Sequence, residues 1–78
     1  MNYEKLRKAF SEALNLEIED ITNELSYQSI AEWDSISHMI LISQIEEDFD
    51  ISLETDDVIE MSSVEKAQDI LAKHGIKF

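Results

Sequence analysis

The chain has 78 residues, of which 44% are hydrophobic, and its 18 acidic and 6 basic residues give a formal net charge of −12. This length predicts one small domain, residues 1–78, whose modest core leaves little room for a deep catalytic cleft, so binding or carriage is favoured over catalysis. The lack of cysteine excludes disulfides and thiolate metal ligands and favours the cytoplasm. No apolar run approaches the roughly 18 residues of a membrane span, so stable membrane insertion is not expected.

Charge is distributed unevenly along the chain. All Lys and Arg residues lie in positions 5–8 and 66–77, whereas positions 9–65 contain sixteen acidic residues and neither Lys nor Arg. Such a field repels nucleic acid and anionic membrane surfaces. It attracts basic patches on other proteins, although acidic residues also serve simply to keep a domain in solution.

Periodic apolar residues predict a first helix over residues 3–15. Those that recur at three- and four-residue spacing are Leu6, Ala9, Phe10, Ala13 and Leu14. The following segment has no long period, which predicts a long loop up to Trp33. Four loop residues are expected to reach the core: Ile18, Ile21, Leu25 and Tyr27.

A second, central helix is predicted to begin at Asp34 or Ser35, either of which is a suitable N-cap, and to end at Phe49. A hydrolase built from Asp34, Ser35 and His38 is disfavoured because one exposed turn offers no water-excluding pocket, so we interpret His38 as a surface residue. Trp33 fits a core position and a partner contact equally well. The helix carries a wide apolar stripe: Ile36, Met39, Leu41, Ile42, Ile45 and Phe49.

The last third of the chain predicts a short helix and then a longer one. Thr55 is a candidate cap for the short helix over residues 55–61. Ser62 and Glu65 have the spacing of a capping box for the longer helix, and Gly75 marks its end. The buried face of that helix is predicted to contain Val64, Ala67, Ile70 and Leu71. The predicted fold is therefore all-α, a small four-helix bundle of three main helices plus a short third helix, with a long loop between helices 1 and 2.

Two further patterns have structural interpretations. Residues 48–59 resemble a calcium-binding loop in their acids, but Leu53 stands where the turn needs Gly and Ile59 where it needs Glu, so no metal site is predicted. Met39 and Met61 are expected to fill the core, with a flexible binding cavity as the alternative.

Taken as a whole, the sequence resembles the acyl carrier proteins. Their Asp-Ser-Leu signature is present as Asp34-Ser35-Ile36 at the start of the second helix. The segment IEEDFDISLETDDVIEMSSVEKAQDIL, residues 45–71, is similar to the second half of the family, with an aliphatic-Glu-Glu-acid-Phe helix end, a short acidic helix and a Ser-Val start to the last helix. The resemblance covers essentially the whole chain.

This resemblance implies a carrier with no catalytic residues. A phosphopantetheinyl transferase would use coenzyme A to esterify Ser35 with 4′-phosphopantetheine, whose thiol would carry acyl groups as thioesters. Asp34 would help the transferase to recognise the site. The carrier, expected to be a monomer, would deliver its cargo to acyl-loading and acyl-transferring enzymes of a fatty-acid-like or specialised pathway.

The resemblance also implies a partner surface on the second and third helices. Its residues are Ile36, Met39, Ile40, Glu46, Glu47, Asp56 and Asp57. Ser37 and Ile40 stand where fatty-acid carriers usually have acids, and Trp33 replaces a small residue before the signature. These departures predict a dedicated carrier of a specialised pathway, whose partner enzymes have basic surface patches.

Two alternatives agree with the same sequence. An aminoacyl or D-alanyl carrier has the same bundle and prosthetic group and differs only in its cargo. An unmodified acidic helical adaptor that binds a basic protein partner has the same charge and helices but no cofactor.

Overall fold

In the computed structural model, which describes residues 2–78, the chain forms four α-helices. They are α1 (Asn2–Leu14), α2 (Ser35–Phe49), α3 (Thr55–Glu60) and α4 (Val64–Lys73). Residues 2–78 contain no β-strand, only an isolated bridge between Ser26 and Ser63, and none of their helices is long and apolar enough to cross a membrane. The predicted all-α fold with a short third helix is confirmed.

One hydrophobic core joins α1, α2 and α4, because each of these helices has an apolar face that is removed from water. The loop between α1 and α2 adds Ile21 and Trp33 to this core. Trp33 packs edge-to-face against Phe10, with the ring centroids 5.3 Å apart. The buried apolar residues are Leu6, Ala9, Phe10, Leu14, Ile21, Trp33, Leu41, Ile42, Ile45, Phe49, Met61, Val64, Ala67, Ile70 and Leu71.

The first part of the long loop is fixed to α1 by Arg7. The Arg7 guanidinium donates through Nε to the Ile21 carbonyl at 3.0 Å and through Nη2 to the Ile18 carbonyl at 2.7 Å. A 3₁₀-helix at Ile18–Asp20 forms between these contacts. Ile21 reaches the core as predicted, whereas Ile18 is only half-buried and does not join the core cluster.

The second part of the loop is tied to the start of α4. The Tyr27 N–H donates to the Ser62 carbonyl at 2.8 Å, and the Val64 N–H donates to the Leu25 carbonyl at 3.0 Å. Leu25 and Tyr27 are half-buried and pack against the core, as predicted. These backbone hydrogen bonds place the loop beside the later helices although it has little regular structure of its own.

Both predicted caps after α2 are displaced by one residue. The Ser63 Oγ, not Ser62, accepts the Lys66 N–H at 3.0 Å and caps α4, so the predicted capping box is wrong. Thr55 is the first residue of α3 rather than its cap, because Glu54 occupies the cap position.

The helix end predicted at Gly75 agrees with the structure. Helix α4 ends at Lys73, and Gly75 follows with a φ of 89°, a left-handed conformation that glycine adopts without a steric penalty. The C-terminal residues therefore leave the helix direction at this point.

Polar contacts hold the short helix α3. Before the helix, the Leu53 N–H donates to Glu46 Oε2 at 2.8 Å. Within it, Asp57 is buried, and its Oδ2 accepts a hydrogen bond from His74 Nε2 at 3.0 Å while Lys73 lies 3.7 Å from Oδ1. Asp57 therefore contacts the end of α4, in contrast to the expectation that it faces a partner.

Candidate functional site

Ser35 is the first residue of α2, and its side chain is exposed to solvent. The preceding Asp34 has extended backbone, and its Oδ1 accepts the Ser37 N–H at 2.9 Å and the Ser37 hydroxyl at 2.8 Å. Of the two candidate caps, Asp34 is therefore the one the structure uses. The Ser35 hydroxyl has no capping role and is accessible to a partner.

The electrostatics of this turn favour negative charge. The Ser37 backbone N–H, followed by the Ser37 hydroxyl, holds the pKa of Asp34 below its usual value of 3.8. An ionised carboxylate at this position interacts favourably with the positive end of the α2 dipole. The same field tolerates an anionic phosphodiester on the Ser35 oxygen, so the turn fits a phosphate-linked group.

Trp33, immediately before the cap, is a core residue with 0% of its surface exposed. Its ring lies edge-to-face with Tyr27 at a centroid distance of 6.2 Å, and the His38 ring lies 6.0 Å away at an interplanar angle of 22°. Its indole Nε1–H donates to His38 Nδ1 at 2.9 Å. The core interpretation of Trp33 is confirmed, and direct contact with a partner is excluded by its burial.

The surface interpretation of His38 is wrong. The ring is half-buried, and besides accepting from Trp33 it lies with Nε2 2.8 Å from the Val58 carbonyl oxygen of α3. Because the indole can only donate and the carbonyl can only accept, the tautomer that makes both hydrogen bonds carries its proton on Nε2. No sequence signal identified this role, since the contact with Val58 depends on where α3 packs.

Three apolar side chains of α2 are exposed, and we call them the apolar patch: Ile36 (72% exposed), Met39 (56%) and Ile40 (53%). The predicted stripe is therefore only partly confirmed, because Ile36 and Met39 do not face the core. Met61, in contrast, fills the core as predicted. The stripe residues that do face the core are Leu41, Ile42, Ile45 and Phe49.

The acidic residues predicted to bind partners lie in different environments. Glu47 and Asp56 are exposed. Glu46 is half-buried and holds the Leu53 N–H, and Asp57 is buried against α4. Glu47 and Asp56 are thus the members of this acidic set whose carboxylates face solvent most fully.

A cavity of about 250 Å³ lies between α2 and α3. Ile59, on its rim, is 72% exposed and was not identified from the sequence. The cavity is lined by Tyr27, His38, Val58, Ile59, Met61 and Ser62. Among residues 2–78 no group of three or more His, Cys, Asp or Glu side chains is arranged to hold a metal ion.

Comparison with known proteins identifies the family. Residues 4–67 match the family model described as a phosphopantetheine attachment site. Over 67 residues the chain is 34% identical to an acyl carrier protein of Buchnera aphidicola subsp. Schizaphis graminum, which covers 86% of this chain and 85% of that protein. It is 30% identical over 74 residues to an acyl carrier protein of Buchnera aphidicola subsp. Acyrthosiphon pisum, with 95% and 92% covered. The chain belongs to the acyl carrier protein family.

As a member of the acyl carrier protein family, the chain is a carrier and not a catalyst. It holds covalently attached 4′-phosphopantetheine, and it interacts with a phosphopantetheinyl transferase and with biosynthetic enzymes. The alternative of an unmodified acidic adaptor does not agree with this membership. An exposed serine hydroxyl at a helix N-terminus fits the chemistry of the attached group.

Proposed function

We propose that Ser35 is the attachment residue and that the carrier delivers acyl thioesters to enzymes of a specialised biosynthetic pathway. The observation that carries this proposal is the exposed Ser35 hydroxyl in the first turn of α2, within the residues that match the family. When bound, 4′-phosphopantetheine supplies the terminal thiol that a chain without cysteine lacks.

Asp34 is proposed to have two roles at this site. Its Oδ1 caps α2, which fixes the backbone of the turn that presents Ser35. Its carboxylate remains ionised because hydrogen bonds from Ser37 lower its pKa. The exposed negative charge next to Ser35 is available for recognition by the transferase.

Partner enzymes are proposed to dock on the apolar patch, Ile36, Met39 and Ile40. Exposed apolar side chains grouped on one helix are typical of an interaction surface. Glu47, two turns beyond Ile40, and Asp56 on α3 provide acidic groups for basic residues at the rim of the interface. The absence of an acid in α2 before Glu46 supports partners other than the fatty-acid synthesis enzymes.

An acyl cargo is proposed because the similar proteins from Buchnera aphidicola are named acyl carrier proteins. Loading assays with acyl-activating and amino-acid-activating enzymes separate this cargo from an aminoacyl or D-alanyl group. We propose that residues 1–78 act as one carrier domain, monomeric and in the cytoplasm, where coenzyme A serves as the donor of the arm.

The attachment site is tested by incubating the unmodified protein with coenzyme A, Mg²⁺ and a phosphopantetheinyl transferase. Intact mass should increase by one phosphopantetheine group, and Ser35→Ala should abolish this increase. Ser43→Ala is the matched control, because Ser43 is an exposed serine about two turns farther along α2. Asp34→Asn retains a capping oxygen but loses the charge, so it should slow loading without loss of helix content.

Two results would contradict the proposal. A mass increase on the Ser35→Ala protein would place the attachment at another residue. Equal loading rates for Asp34→Asn and the unchanged protein would show that the Asp34 charge has no role in recognition by the transferase. Ser35 would still be the attachment residue in that case.

A further inference from the structure

Both histidines of the chain make hydrogen bonds to α3. His38 bonds the Val58 carbonyl from α2, and His74 bonds the Asp57 carboxylate from the end of α4. Helix α3 has only 6 residues, and Asp57 is its only buried residue. Because such a short helix is not stable alone in water, contacts from its neighbours determine where it lies.

His38 connects α3 to a fully buried residue of the core. Its Nδ1 accepts from Trp33, which is fully buried between Phe10 and Tyr27, and its Nε2–H donates to Val58. The two nitrogens belong to one rigid imidazole ring, so the directions in which they make hydrogen bonds are fixed relative to each other. The position of the Val58 carbonyl is therefore coupled to that of the buried indole.

The same imidazole lies on the side of α2 from which Ser35 projects. Ser35 and His38 are three residues apart, and Glu46 lies eight residues, or two four-residue spacings, after His38. Glu46 accepts a hydrogen bond from the Leu53 N–H just before α3. Residues at these spacings share one side of a helix. Helix α3 therefore lies beside the side of α2 that carries Ser35, and it presents the exposed Ile59 next to Val58.

We propose that His38 is a positioning residue for partner recognition, which holds Ile59 of α3 in place beside the apolar patch of α2. A partner then contacts one apolar surface made from two helices whose relative position is set by the hydrogen bond from His38 to Val58. This inference rests on the proposed docking of partners at the apolar patch next to Ser35. The phosphopantetheinyl transferase is the partner with which it is tested.

Two substitutions of His38 separate its two hydrogen bonds. In His38→Asn the side-chain oxygen takes the place of Nδ1, so the bond from Trp33 is retained and the bond to Val58 is lost. In His38→Gln the side-chain nitrogen takes the place of Nε2, so the bond to Val58 is retained. Trp33→Phe removes the indole N–H and also leaves the Val58 bond in place.

The first measurement is amide hydrogen exchange on the unmodified protein. The Val58 and Met61 N–H groups bond to the carbonyls of Glu54 and Asp57, so their exchange reports on α3. His38→Asn should accelerate exchange at both amides by about two- to tenfold, the factor that corresponds to one hydrogen bond. His38→Gln and Trp33→Phe should accelerate it less than His38→Asn does.

The second measurement is the kinetics of loading by the transferase. His38→Asn should raise the KM for the carrier about two- to tenfold, because docking is weakened, while kcat stays within about twofold, because Ser35 is unchanged. His38→Gln should keep KM near that of the unchanged protein. A purely structural role of His38 would change stability without this division between KM and kcat.

The outcomes separate this inference from the attachment at Ser35. Equal α3 exchange and equal KM for His38→Asn and His38→Gln would overturn the positioning role, even if both variants become fully loaded. If His38→Asn does not fold, the comparison of His38→Gln with the unchanged protein decides, and a KM raised beyond about twofold there would overturn the assignment to the Val58 bond. Loading of Ser35→Ala would instead contradict the proposed function.

Discussion

Single side chains near Ser35 link local structure to distant parts of the chain. Asp34 is a local feature, a cap that bonds Ser37 three residues later, and the sequence predicted a cap at this position. The hydrogen bonds of His38 could not be predicted, because its partner Val58 is 20 residues away and is brought close only by packing. The sequence favoured a core position and a partner contact for Trp33 equally, because its burial also depends on packing against residues distant in the chain.

Asp57 leads to a prediction about pH. The hydrogen bond from His74, then the Glu54 N–H and the charge of Lys73, hold the pKa of Asp57 below its usual 3.8. A carboxyl whose pKa is lowered in the folded state stabilises that state above the unfolded pKa, and this contribution is lost as the pH falls through the lowered value. Asp57→Asn should therefore lower the free energy of unfolding most above about pH 5, with the difference shrinking below about pH 4.

Urea unfolding between about pH 3 and pH 7 measures this difference. Asp56→Asn is the matched control, because it removes the same charge from the exposed neighbour on α3. A difference between Asp57→Asn and the unchanged protein that does not vary with pH would contradict the role given to the carboxylate.

At the scale of elements, apolar periodicity located the three longer helices, and cap and dipole signals located the short one, within about two residues, as the usual uncertainty of helix ends allows. The predicted cap of α4 was displaced because Ser62 and Ser63 are chemically equivalent in a sequence pattern. The structure distinguishes them through the loop, whose Tyr27 N–H bonds the Ser62 carbonyl. Periodicity also assigned too many residues of α2 to the core, since an apolar residue beside the buried face satisfies the same spacing.

The end of α2 offers a test of helix capping. Asp50, its C-cap, has a φ of 54° and a ψ of 51°, a left-handed conformation that costs free energy for residues with a Cβ. Asp50→Gly should raise the free energy of unfolding by up to about 1 kcal/mol because glycine lacks this cost. Chemical denaturation measures the change. Asp50→Asn controls for the lost charge, and a glycine variant no more stable than the asparagine variant would contradict the explanation.

At the scale of the whole molecule, the surface that follows Ser35 along α2 is divided into an uncharged, partly apolar part and an acidic part. The first ten residues after Ser35 contain no acid, whereas Glu46, Glu47 and Asp48 follow in succession. The sequence predicted this division, because it depends only on residue order along a helix. It did not predict that Ile59 of α3 is also exposed, since that depends on how α3 packs.

This order of uncharged and acidic residues along α2 predicts how well fatty-acid synthesis enzymes accept the carrier. In competition for fatty-acid synthesis enzymes, it should have a higher KM than a housekeeping acyl carrier protein, because an acid is missing from the start of α2. Ile40→Glu should lower this KM by up to about fivefold, the factor expected from an exposed ion pair. Ser43→Glu, one turn farther along the same exposed face, is the control for added charge alone.

Equal turnover of the two carriers by the fatty-acid synthesis enzymes would contradict a specialised pathway. Equal gains from Ile40→Glu and Ser43→Glu would show that total charge, rather than its place beside Ser35, determines the KM.

The burial of Trp33 also has a spectroscopic consequence. It is the only tryptophan in the chain, and its indole N–H bonds the same imidazole that bonds α3. Its fluorescence therefore comes from one site, the indole that bonds His38. Emission recorded without any added label reports whether the contacts from Trp33 through His38 to Val58 stay intact when the carrier is loaded or unloaded. The same measurement applies when the carrier is bound by an enzyme that has no tryptophan of its own.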